Sequence, residues 1–248
     1  VDAGLRTRGS GKDRAKTYLE RAATWVGDLP ENDPVVQEYH YRCLELAATQ
    51  SDQASRRQHA QWLVDNAAGS AYEMAALMIV ANAVDRDVAA AGRNAPDSLR
   101  DQALTAFQRL VNMLGDSPDV LTQSKNARVA LSRLAHHAHE LKSYGLAAES
   151  LEKLLGVAPR EKRYLRRAAL AHLSAGQDEE SLEHWRTLLL GLPKGSEDWY
   201  EAKYHQLACL NRTDRDRARK VFRQFELLYP DLGGAKWRGQ FSDLTGGW

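Results

Sequence analysis

Cysteine is scarce: Cys43 and Cys209 are all that 248 residues contain. A disulfide framework or a zinc–thiolate site needs more cysteines or tighter spacing, so both read as small core hydrophobes. No apolar run approaches the ~18 residues that cross a bilayer, and no membrane insertion is expected. Seven prolines and seventeen glycines are too few for a disordered or fibrous chain. An excess of one charge is missing too. The formal balance is +1, which gives no global field toward nucleic acid or membrane. There is no phosphate-binding glycine loop, no nucleophile elbow and no His-Glu-x-x-His zinc motif. The chain is therefore expected not to be an enzyme and to need no cofactor. Period-2 strand patterns are also lacking, and the fold class expected is all-α.

What is present begins with charge asymmetry. Residues 1–124 hold 13 Lys and Arg against 17 Asp and Glu, a net of −4. Residues 125–248 hold 21 against 16, a net of +5. An anionic partner is therefore sought in the C-terminal half. The chain starts at Val1 rather than Met, and is expected to be a mature form or a piece of something longer. Compartment is left open.

The strongest signal is periodic. Pro159, Pro193 and Pro230 follow one another at 34 and 37 residues, the spacing of stacked helical hairpins. Twelve residues before each stands a small residue: Ala147, Ser181 and Ala218. Eight before stand Leu151, Trp185 and Phe222, and five before stand Leu154, Leu188 and Phe225. Steps of four and three put each set on one helix face. The small member lets a neighbouring helix approach, and the proline ends the unit. Each unit has an upstream helix with its own stripe: Leu131, Leu134, Ala135 and Ala138; Leu165, Ala168, Ala169 and His172; Ala202, His205 and Cys209. Gly176 marks a stop between helices.

On these residues, the segment 126–231 resembles three tetratricopeptide repeats. The resemblance implies antiparallel hairpins stacked into a right-handed superhelix, an α-solenoid, with a concave groove lined by the first helix of each repeat. Residues 12–125 read as degenerate hairpins of the same kind, with a plain helical bundle as the alternative. There Asp33 caps a helix begun by Pro34, Ser51 or Asp52 opens the next, and Ala71–Val88 is an apolar helix. Residues 1–11 read as a flexible segment. Residues 232–248 form a Gly/aromatic tail whose Trp237, Phe241 and Trp248 dock on the last repeat. Trp25, Trp62, Trp185 and Trp199 are read as core.

Mapped through the resemblance, the groove positions are Val129, Ser132, His136, His139 and Glu140, then Arg163, Arg166, Leu170 and Leu173, then Tyr200, Lys203, Leu207 and Asn211. The partner-binding set drawn from them is Ser132, His136, His139, Glu140, Arg163, Arg166, Leu170, Tyr200, Lys203 and Asn211. Guanidinium forks suit carboxylates, and a tyrosine supplies rigid contact area. The expected function is a protein–protein interaction scaffold that holds a peptide or protein segment, acidic in character. The Asn-plus-Lys carboxylate clamp of some repeat proteins is absent, with Arg133, Arg167 and Tyr204 in its place.

Three features admit a sharper reading. His136, His139 and Glu140 share a helix face with metal-ligand spacing, but the third ligand would come from elsewhere, and a polar groove surface is preferred; no metal is assigned. The basic run Arg212, Arg215, Arg217, Arg219, Lys220 and Arg223 is interrupted by Asp214 and Asp216 and reads as a solvated face, so no nucleic-acid partner is expected. Two alternative functions stand beside the scaffold: a structural C-terminal arm of a larger protein, packing in cis or as a homodimer, and an all-α metal-dependent enzyme on the His136–Glu140 cluster.

Overall fold

A computed structural model describes residues 10–246. Most of residues 1–11 and Trp248 lie outside them, so the expectations placed there are not addressed. The described residues are helical throughout, with no strand among them. The chain divides into two compact units, residues 1–113 and 114–248.

In the first unit, α1 (Ser10–Val26), α2 (Pro34–Gln50), α3 (Gln53–Asn66), α4 (Glu73–Ala91) and α5 (Asp97–Leu114) follow in order. Capping sets the boundaries. Asp33 accepts from the Val35 amide with Pro34 in the first turn, and Asp52 accepts from the Ser55 amide. Consecutive helices from α1 to α4 pack on each other. Ala15 and Leu19 of α1 bury against Leu46 of α2. Trp25, beyond that stripe, is 79% exposed. This corrects its reading as core: the contact of α1 with α2 is made by Ala15 and Leu19, and Trp25 has no place in it. Trp62 is half-buried and stacks on His40 at 3.7 Å. Arg109 of α5 reaches Glu73 at the start of α4 and the Val64 carbonyl of α3, tying three helices together.

The second unit contains a short α6 (Pro118–Gln123), then α7 (Lys125–Glu140), α8 (Tyr144–Val157), α9 (Lys162–Ser174), α10 (Asp178–Gly191), α11 (Glu197–Thr213), α12 (Arg215–Leu228) and α13 (Ala235–Thr245). From α7 to α12 each helix packs on the next, and α13 returns to α11. The hairpins are TPR-like. Ser124, Glu161, Ser196 and Asp214 cap α7, α9, α11 and α12 with side-chain acceptors.

The repeated stripe makes the core. Ala147, Ser181 and Ala218 are each fully buried, and so are Leu154 and Trp185; Leu151, Leu188 and Phe225 are nearly so. Phe222 is half-buried. At each small position a larger side chain would push the partner helix away. Ser181 uses its hydroxyl as well, donating to the Ala169 carbonyl at 2.8 Å while Cys209 lies 3.4 Å from it. Gly176 takes φ +76 at the α9–α10 turn, and Gly195 takes φ +82 in the insertion that lengthens the last interval. The tail closes the stack: Trp237 and Phe241 of α13 bury against Trp199, Tyr200 and Phe225. The Trp237 indole donates to Glu197 at 2.9 Å.

Burial also sets a pH response. His205 stacks on Trp185 at 4.7 Å. Burial first, then the Arg166 and Arg212 guanidiniums, lower its pKa to about 4. A histidine that is neutral in the fold and protonated when unfolded stabilises fully above ~6.5 and loses that contribution as pH falls toward its folded pKa. The contribution of His205 to stability is thus expected to fall by about 2 kcal/mol between neutral pH and pH ~4.5, allowing for solvent screening of the partly exposed ring. His205→Phe keeps the stack but cannot ionise, and should make the dependence shallower by about that amount, the rest coming from groups such as His40, whose pKa burial and His59 also lower to about 4. Urea unfolding of both proteins at the two pH values measures the difference.

Candidate functional site

The first helices of two successive hairpins, α7 and α9, enclose a cleft of about 370 Å³. Val129, Ser132, Arg133 and His136 line it from α7, and Arg163, Tyr164 and Arg167 from α9. The helical period explains the set. Val129, Ser132, Arg133 and His136 are spaced three, one and three apart, and Arg163, Tyr164 and Arg167 repeat the last two of those steps, one and three. Their opposite faces carry Leu131, Leu134, Leu165 and Ala168 into the core.

Charge dominates the cleft. No carboxylate is among its lining residues. Arg167 donates to the Ser132 hydroxyl and carbonyl, both at 2.9 Å, and so fixes α9 against α7. Burial lowers the Arg167 pKa, and the Arg163 and Arg133 guanidiniums lower it further. Arg163 lies over the Tyr164 ring at 5.3 Å and is exposed. His136 is held below its ordinary pKa by burial and by His137, Arg167 and Arg133, against an opposing pull from Glu140. Like charges so gathered raise the local positive potential, which a carboxylate-bearing partner would relieve.

Three of the residues proposed from the sequence, Ser132, His136 and Arg163, therefore meet in one cleft. The others do not join it. Arg166 is engaged with Glu201 at 2.6 Å and Asp198 at 3.7 Å, bridging α9 to α11. His139 packs its ring on Tyr144 at 5.2 Å. Glu140 is exposed at the end of α7, and Leu170 is half-buried. Tyr200 is only 6% exposed and sits in the terminal aromatic cluster, so it does not offer the contact surface expected of it. The physical reason is the tail: Gly233 closes over its ring. Lys203 is half-buried, bonds Gln206 at 2.9 Å and lies over the Phe225 ring. Burial lowers its pKa. Asn211 is half-buried, with its side-chain oxygen buried and lacking a hydrogen-bond partner.

Two features escaped sequence reasoning. A larger cleft, about 690 Å³, lies in the first unit among α2, α3 and α4, with Leu44, Met78 and Ile79 beside Glu45, Arg56 and Arg86. Its residues follow no repeat that could be aligned. The second is a His–Glu–His cluster on α8, α9 and α10, taken up below. No helix among the described residues is long and apolar enough to cross a membrane.

The sequential hairpins and their buried small–large–large stripe define an all-helical fold of stacked, TPR-like hairpins. No family model matches the chain, and no curated protein matches it. Among solved structures it is similar to a crystal structure of MamA protein, at 11% identity and a TM-score of 0.48, over 79% of this chain and 92% of that one. A second MamA crystal structure is similar at 12% identity and 0.46, over 73% and 90%. The MamA RS-1 ArsTM double mutant is similar at 17% identity and 0.44, over 75% and 90%.

Proposed function

We propose that this chain is an interaction scaffold, not an enzyme, and that it holds an acidic protein segment in the cleft between α7 and α9. The observation that carries the proposal is the gathering of Arg133, Arg163 and Arg167 with His136 in a concavity lined by no carboxylate. A guanidinium cluster with Arg163 lying over the Tyr164 ring suits a segment bearing Asp or Glu. Arg167, tied to Ser132, shapes the floor, and exposed Arg163 makes the contact.

Pull-down from cell extract with wild type and Arg163→Glu tests the reading. Arg163 is exposed, so the substitution should leave folding intact within about 0.5 kcal/mol. A specific partner is expected on wild type and lost on the variant, with wild-type capture weakening as salt rises. Identical partner sets would remove the site.

A further inference from the structure

We infer that Glu152, His172 and His184 form a binding site for one divalent transition-metal ion, zinc by preference, that clasps α8, α9 and α10 together. The site is independent of the α7–α9 cleft and shares no residue with it. The ligand atoms of the three side chains all lie within 4.8 Å of one another. His172 Nε2 is 2.8 Å from Glu152 Oε1, and His184 Nε2 is 2.5 Å from the same oxygen. Both Nε2 atoms thus face one point, and the two rings stack at 5.2 Å.

The surroundings of His172 suit a metal ligand. Gln177 Oε1 lies 2.8 Å from His172 Nδ1. In the tautomer that donates from Nδ1 to Gln177, the Nε2 lone pair faces the Glu152 carboxylate, and a cation bound between them would satisfy both. The orienting bond from the second ring nitrogen is what metal-binding histidines characteristically have.

Size and access agree. Zinc bound at ~2.0–2.2 Å in tetrahedral geometry sets its ligand atoms about 3.3 Å apart. The two nitrogen–oxygen distances, 2.8 and 2.5 Å, need to open by less than ~1 Å for that. The Glu152 side chain, 45% exposed, has the freedom to swing, whereas the His172 side chain, 9% exposed, is fixed. Two imidazoles and one carboxylate suit zinc, and copper or nickel by the general affinity order. Three protein ligands leave a fourth position for water. The ligands come from three consecutive helices, so an ion here favours the folded stack over the open chain.

The test is zinc titration of the whole chain by calorimetry near neutral pH, after chelator treatment, with thermal unfolding in parallel. Wild type is expected to bind one ion per chain and to melt several degrees higher with zinc than with chelator. His184→Ala and Glu152→Gln, both on side chains that solvent reaches, should weaken binding at least tenfold and abolish the shift. Gln177→Ala should weaken it roughly 10- to 100-fold through the loss of the orienting bond. His136→Ala/His139→Ala should leave both readouts intact. Equal binding by wild type and His184→Ala, no thermal shift in wild type, or loss of binding on the His136/His139 variant would overturn the inference.

Discussion

Trp185→Ala is expected to cost about 3–5 kcal/mol of stability, the range for truncating a fully buried aromatic. Trp185 has no exposed surface, anchors the second repeat stripe and stacks on His205 of the next hairpin. Removal leaves a void between two hairpins that close-packed neighbours fill only in part. Trp185→Phe makes the argument sharper. The indole N–H is buried without a hydrogen-bond partner, a state that costs about 1–3 kcal/mol. Phenylalanine keeps most of the ring and discards the unsatisfied donor, so the net cost is expected to stay below about 1.5 kcal/mol. Urea unfolding of the three proteins measures both differences. A phenylalanine variant as damaged as the alanine variant would mean that the indole nitrogen has a partner and that ring volume alone does not set the packing.

The second large effect is expected at Gly233→Ala. Gly233 takes φ +79, and an added Cβ would fall 2.7 Å from Tyr200 Cδ2 and 2.8 Å from Cγ of the same ring. The ring is buried among Trp199, Phe225 and Tyr229 and has nowhere to retreat. Overpacking of about 1–3 kcal/mol adds to about 1–2 kcal/mol of backbone strain. The consequence should be local: α13 lifts from α11, and Trp237 and Phe241 are exposed. Gly195→Ala is the control. It also has positive φ, +82, but meets nothing within 4 Å, so only the backbone cost remains. Melting curves and the fluorescence of Trp237 distinguish the two. Equal destabilisation by both substitutions would show that Tyr200 gives way and that the tail is not held as described.

The repeat was legible because its physics is local and recurrent. A small residue, two large ones and a proline at constant spacing appear three times, and all the apolar and small members except half-buried Phe222 are buried. Caps were legible for the same reason: Asp33, Asp52 and the neighbouring Pro34 act within one helical turn. Ser132, His136 and Arg163 could be placed together because one alignment relates their two helices. Burial by distant chain could not be read that way. Tyr200 has a groove position in the repeat alignment, but the tail, some thirty residues later, covers it. Trp25 has helical spacing from Ala22, yet its exposure depends on where the neighbouring helix makes contact. The Glu152–His172–His184 cluster draws one residue from each of three helices, at separations no short motif contains. His172 itself reads as a stripe residue, and burial at 7% exposure agrees with that role as well.

The cleft between α7 and α9 is tested most directly by titrating the chain into a fluorescently labelled Glu- and Asp-rich peptide and following anisotropy at low and moderate salt. Saturable binding is expected, weakening as salt rises, lost with Arg163→Glu, and absent for a peptide in which Gln and Asn replace the acids. Equal affinity for the acidic and neutral peptides, or undiminished binding by Arg163→Glu, would contradict the account.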